Sequence, residues 1–149
     1  MASINAVVET LKSGDQIVAC SQMYGGSYKL LRDCVCNFGI DVVFVEDISS
    51  GAVAAALTRK TKLVWLETCT NPTLVLLDVA AVAEAVKNFN SDIVFGVDNT
   101  FLSPYILRPL ELGADLVMHS CTKFMVAAIS ALQSVMFSSS RLQLVRCLT

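Results

Sequence analysis

Strand-length apolar runs alternate with helix-period stripes along most of this chain, and that alternation restricts its fold more than any other feature. Ile4, Val7, Val8 and Leu11 fall at i, i+3, i+4 and i+7, one face of a helix, and Gly14 suits the left-handed residue that closes it. Gln16 to Cys20 then reads as a short strand. Leu30, Leu31, Cys34, Val35 and Phe38 form a second helical stripe, stopped at Gly39. Ile40 to Val45 is β-branched and apolar, as a buried strand should be. A short helix near Val53 to Leu57 leads to a third strand, Lys62 to Leu66. Asp78 supplies an N-cap for a helix whose Val79, Val82, Ala83, Val86 and Phe89 keep the helical period. Ile93 to Val97 and Asp115 to His119 read as a fourth and a fifth strand. The whole predicts an α/β fold with a mostly parallel sheet, helices on both faces and right-handed crossovers. No repeat, low-complexity tract or linker divides it.

A chain of 149 residues can bury roughly 68–70% of its unfolded surface, so a core is available. With 54% hydrophobic and 16% charged residues it is apolar for a free-standing domain, which suits a sheet covered on both faces or a surface meant for a partner. A net charge of −2 and a pI near 5.3 leave no basic stripe to collect phosphates, against a nucleic-acid or anionic-membrane partner. No run approaches the ~18 apolar residues of a membrane span. The longest weakly polar stretch, Val126 to Phe137, is broken by Ser130, Gln133 and Ser134. Met-Ala-Ser-Ile-Asn at the start has neither a basic segment nor an apolar signal core, so a cytoplasmic location is expected. Cys20, Cys34, Cys36, Cys69, Cys121 and Cys147 are scattered without a Cys-x-x-Cys pair and read as reduced, mostly buried thiols. The single His119 has no helical partner, and no metal site is expected.

In an open α/β sheet, ligands sit outside the carboxyl ends of the strands. Four polar clusters follow strands directly: Tyr24-Gly25-Gly26, Glu67-Thr68-Cys69-Thr70-Asn71-Pro72, Asp98-Asn99-Thr100 and Ser120-Cys121-Thr122-Lys123. Each has a plain structural alternative. Asp98 could be a turn residue or helix cap, Lys123 a solvated amine, Ser120 and Thr122 caps, and Tyr24 a core aromatic beside a tight turn. Their joint placement is what folding alone does not require. Pyridoxal phosphate chemistry uses such a set: a lysine for the Schiff base, an acid to keep the pyridine nitrogen protonated, an aromatic to stack, and hydroxyls for the phosphate. A nucleotide-binding module fits less well, because no Gly-x-Gly-x-x-Gly fingerprint or Walker-type loop is present.

The motifs Gly14-Asp15-Gln16-Ile17, Tyr24-Gly25-Gly26-Ser27, Lys62 to Thr73, Val97 to Tyr105, Pro109 to Leu116 and Ser120-Cys121-Thr122-Lys123-Phe124 carry a resemblance to the transsulfuration family of pyridoxal-phosphate enzymes. It spans nearly all of residues 1–125 in order. The resemblance implies the large domain of fold type I, pyridoxal 5′-phosphate as cofactor, and a sulfur amino acid such as cystathionine as substrate. It also implies a homotetramer. By resemblance Lys123 is the Schiff-base lysine and Asp98 the partner of the pyridine nitrogen. Tyr24 resembles the ring-stacking tyrosine that also helps move protons, and Ser120 and Thr122 the phosphate-binding hydroxyls. Asn71 resembles the residue near the cofactor's phenolic oxygen, and Thr100 lies beside the ring. Met1 matches the end of a turn whose backbone amides cradle the phosphate. Lys62 to Pro72 is most similar to the cystathionine γ-lyase branch, which splits cystathionine into cysteine, 2-oxobutanoate and ammonia; cystathionine β-lyase, cystathionine γ-synthase and methionine γ-lyase are the alternatives within the resemblance.

Departures from the family pattern are equally specific. The family's N-terminal arm and C-terminal substrate domain lie outside these 149 residues. Lys29 stands where γ-lyase-like members tend to carry arginine, which loses a planar two-pronged donor. Val126-Ala127-Ala128-Ile129 replaces a glycine- and histidine-bearing loop, so residues 126–149 read as a divergent tail behind a partial cofactor domain, 1–125. Two readings follow. One is an active carbon–sulfur lyase; the other is an incomplete domain that binds cofactor weakly or assembles with full-length relatives.

Overall fold

Six strands form one sheet in the order β2-β1-β3-β4-β5-β6, in a computed structural model that describes residues 2–123 and 134–139. β1 (Gln16–Cys20), β2 (Asp41–Val45), β3 (Thr61–Glu67), β4 (Val94–Asp98) and β5 (Leu116–Ser120) are parallel. β6 (Ser134–Ser138) runs antiparallel to β5. The five expected strands are present within a residue of their expected bounds; β6 was not expected. Every residue of β1 and all of β3 except Lys62 are buried. Side chains on consecutive strand positions point to opposite faces, so unbroken burial means that chain covers both sides. This accounts for the low charged fraction.

β2 departs from expectation. It lies at the sheet edge, with Asp41 exposed and Val42 to Val45 only half-buried, because an edge strand has a neighbour on one side only.

The helices follow the same logic. α1 (Ala2–Val8) buries Ile4, Val7 and Val8 but ends before Leu11. Gly14, at φ 93°, serves the turn into β1, where its N–H donates to Gly39 O at 2.8 Å. The stripe at residues 30–38 is narrower than its period suggests. After α2 (Gly25–Lys29) the chain winds as a π-turn over Leu30–Cys34 and as a 3-10 turn over Val35–Phe38. The changed winding leaves Leu31 and Val35 buried and carries Cys34 and Phe38 to the surface. Ser49 caps α3 (Ser50–Ala56) and Asp78 caps α4 (Val79–Phe89), each by accepting a backbone N–H three residues on. α4 buries Val79, Val82, Ala83 and Val86. Near its end Lys87 Nζ donates to Ile93 O and Asp115 Oδ2, both at 2.6 Å, while Asp115 Oδ2 also accepts the Phe95 N–H at 2.8 Å. That clamp fixes the starts of β4 and β5. α5 (Ser103–Ile106) is a single turn.

In the middle of the sheet Trp65 of β3 pairs with Gly96 of β4. A Cβ on Gly96 would stand 2.6 Å from a ring carbon of Trp65, so the indole fills the space that glycine leaves. Cys20, Cys69 and Cys121 are buried as expected, but Cys34 and Cys36 are exposed on the segment with altered winding. Among the described residues, no helix is long and apolar enough to cross a membrane.

Candidate functional site

The strand order reverses direction between β1 and β3: β2 lies beyond β1 on one side, and β4 and β5 follow β3 on the other. Such a reversal separates the loops leaving adjacent strands and opens a crevice at the carboxyl edge. β1, β3, β4 and β5 present Cys20, Glu67, Asp98 and Ser120 at that edge, with Glu67 directly paired with Asp98 in the ladder.

A chain of hydrogen bonds joins the last two loops. Asp98 Oδ1 accepts both the Thr100 N–H, at 3.0 Å, and the Thr100 hydroxyl, at 2.5 Å. Thr100 Oγ1 in turn accepts the Ser120 N–H at 2.9 Å, and Ser120 Oγ lies 2.7 Å from Thr122 Oγ1. Lys123 follows, exposed, its N–H donating to Ser120 O at 3.2 Å. The acid, the Thr100 hydroxyl, the hydroxyl pair and the backbone N–H of Lys123 are therefore in one connected segment. Asp98 is 8% exposed, and burial pushes its acid above the usual carboxylate range against the pull of the two Thr100 donors. Both of those donors go to Oδ1, so Oδ2 takes neither of them.

Tyr24 approaches from the other side of the crevice. It is 56% exposed, which removes the core-aromatic alternative. Its N–H donates to Glu67 Oε1 at 2.7 Å, across the point where strand order reverses. A Cβ on Gly26 would lie 2.5 Å from a Tyr24 ring carbon, so the ring rests on the glycine. Asn71 is half-buried in the loop after β3, a loop tied down by Thr70, whose hydroxyl accepts the Val75 N–H, and by the bond from Thr73 to Gln22. No hydrogen bond links Asn71 to the Asp98 chain among the described residues. Met1 lies outside them.

Three residues here had no role in the sequence reading. Glu67 is 5% exposed; its acid is pushed up to about 7, first by burial and then by the Asp98 charge. Thr68 donates its hydroxyl to Asn99 Oδ1 at 3.0 Å, and Asn99 Nδ2 donates to Leu107 O at 2.8 Å, which ties the β3 and β4 loops to the segment after α5. A polar residue directly after an apolar strand was the signal available for Thr68 and Asn99; Glu67 ends β3 itself, and nothing in the sequence marks it as buried.

Fold and polar edge together define a class: a parallel α/β domain whose strand ends carry a buried acid, paired hydroxyls followed by a lysine, and an exposed aromatic. Comparison with known proteins gives the family. A model of the family described as Cys/Met metabolism PLP-dependent enzyme matches residues 1–146. Cystathionine gamma-lyases from Bos taurus and Homo sapiens are each 43% identical over 125 residues, 84% of this chain and 31% of theirs. The Dictyostelium discoideum cystathionine gamma-lyase is 42% identical over 124 residues, 83% of this chain and 32% of its own. The crystal structure of cystathionine gamma-lyase from Lactobacillus plantarum complexed with L-serine superposes with a TM-score of 0.87 at 34% identity, covering 93% of this chain and 36% of that one. This chain belongs to the Cys/Met metabolism PLP-dependent enzyme family, with the type I fold and pyridoxal 5′-phosphate as the implied cofactor. It spans about a third of the length of the curated relatives it matches.

The residues present fit that cofactor. A buried carboxyl beside a pyridine nitrogen, two hydroxyls 2.7 Å apart for a phosphate, and a lysine next to them are the right donor and acceptor types.

Proposed function

We propose that this chain supplies the cofactor-holding part of a carbon–sulfur lyase that cleaves cystathionine to cysteine, 2-oxobutanoate and ammonia. The observation that carries the reading is the unbroken chain from Asp98 through Thr100 to the Ser120–Thr122 hydroxyl pair, ending beside Lys123.

When bound, pyridoxal phosphate supplies an electron sink that draws charge from the amino acid's Cα. Asp98 would hold a proton at the pyridine nitrogen. Its burial disfavours a lone carboxylate, and an adjacent pyridinium is the opposite charge that restores it. Thr100 keeps the carboxyl in one orientation by its two bonds to Oδ1. Ser120 and Thr122 would turn their hydroxyls from each other to the phosphate, and Tyr24 would face the ring across the crevice. Lys123 Nζ would join the cofactor's aldehyde carbon with loss of water, be released when the substrate's amine takes its place there, and as a free amine carry the proton leaving Cα. Asn71 would stand near the phenolic oxygen. Purified chain given pyridoxal phosphate and cystathionine should release 2-oxobutanoate, and Lys123→Ala should not. Absence of release from the unmodified chain, alone and with a full-length relative whose own Schiff-base lysine is replaced by alanine, would sink the lyase reading.

The second reading is an incomplete domain that assembles with full-length relatives. It is favoured by Leu74, Val75 and Leu76, three consecutive exposed apolar residues at 66, 50 and 67%. Co-expression with a full-length relative should then co-purify the two; a chain that stays monomeric beside its relative contradicts it.

A further inference from the structure

Glu67 is a buried carboxyl at the ligand edge with no part in the chemistry above. A buried acid is costly unless hydrogen-bonded, so the core of β3 would by itself favour an apolar residue there. What Glu67 does contact is specific. Its Oε1 accepts the Tyr24 N–H at 2.7 Å, joining the end of β3 to the loop after β1 across the crevice. Apart from the Tyr28 N–H, which donates to its carbonyl oxygen at 3.0 Å, little else fixes Tyr24. It begins α2 without a side-chain cap, its side chain is largely in solvent, and the contact that locates the ring is the bare face of Gly26.

We infer that Glu67 is a positioning residue: by holding the Tyr24 amide it sets where the Tyr24 ring stands over the cofactor edge. The inference rests on the reading of Tyr24 as a cofactor-facing residue. The acceptor atom, not the charge, is what the geometry calls for. A glutamine would keep Oε1 in place and present an NH₂ where the protonated acid presents O–H. A methionine has similar volume and no such acceptor.

The test compares Glu67→Gln, Glu67→Met and Glu67→Asp in the 149-residue chain, with two readouts. Without cofactor, amide hydrogen exchange at Tyr24 should be about tenfold faster in Glu67→Met and unchanged in Glu67→Gln. Glu67→Asp, which withdraws the acceptor by one methylene, should move the same way as methionine. With pyridoxal phosphate as the probe, affinity should fall about tenfold in Glu67→Met and hold in Glu67→Gln. In a Tyr24→Ala background the methionine effect should vanish, because Glu67 acts through Tyr24. Unchanged Tyr24 exchange in the methionine variant overturns the inference. So does a pattern in which aspartate behaves as wild type and glutamine fails, or additive losses with Tyr24→Ala. If the unmodified chain binds no pyridoxal phosphate, the cofactor reading fails while amide exchange still decides the role of Glu67.

Discussion

Replacing Glu67 by glutamine should change how stability depends on pH. The acid is raised from 4.5 to about 7 in the folded chain, so the folded state holds this proton more tightly than the unfolded one. Stability from that proton is complete below pH 4.5 and is lost as pH rises through 7. At about 1.36 kcal/mol per pH unit the full loss is about 3 kcal/mol, of which about 2–3 kcal/mol falls between pH 5 and pH 8. Neighbouring groups titrate too. Asp98 is raised by burial and acts in the same direction, His119 is lowered by burial and acts oppositely, and Cys20, raised to about 12, contributes only in alkali. Comparing wild type with Glu67→Gln removes most of their effect. The assay is urea unfolding followed by the fluorescence of Trp65, the single tryptophan and 1% exposed. From pH 5 to pH 8 wild type should lose about 2–3 kcal/mol relative to the variant. Parallel pH profiles for the two proteins would refute the claim that burial holds a proton on Glu67.

Gly26→Ala puts a methyl 2.5 Å from a Tyr24 ring carbon. Because the ring is exposed it should swing away at little cost in urea stability, while pyridoxal phosphate affinity falls by the roughly 0.5–1.5 kcal/mol of a lost ring contact. Gly96→Ala meets the fully packed Trp65 indole at 2.6 Å and should instead cost about 1–3 kcal/mol in urea unfolding. Lys87→Met leaves the Asp115 carboxylate buried without its cation. It should destabilise by about 2–3 kcal/mol, less than a fully buried pair because Lys87 is partly in solvent, with unfolding midpoints as the readout.

The parts of the fold legible in the sequence are those whose cause is local. β1, β3, β4 and β5 carry apolar runs buried on both faces, and their bounds fall within a residue of the expected ones. α4 announces itself through Asp78, whose carboxylate needs only the backbone three residues on. β6 was not legible, since Val135, Met136 and Phe137 sit among serines and pair only because β5 offers an open edge. Nor was the winding at residues 25–38, where packing of Leu31 and Val35 outweighs the simple helical period. At the site, the nearness of Asp98, Thr100, Ser120 and Thr122 was legible because each stands at or just after a strand end, and the structure links them by hydrogen bonds. Glu67 was not. A carboxylate at a strand end ordinarily points to water, and its burial is decided by a loop that arrives from 43 residues away in sequence.

One amine just beyond the end of β5 carries the proposed chemistry. Borohydride reduction of the chain mixed with pyridoxal phosphate, followed by peptide mapping, tests it most directly. The expected result is a single reduced adduct on Lys123, lost in Lys123→Ala and weakened in Asp98→Ala. Label spread over the surface lysines, or none at position 123, would contradict it.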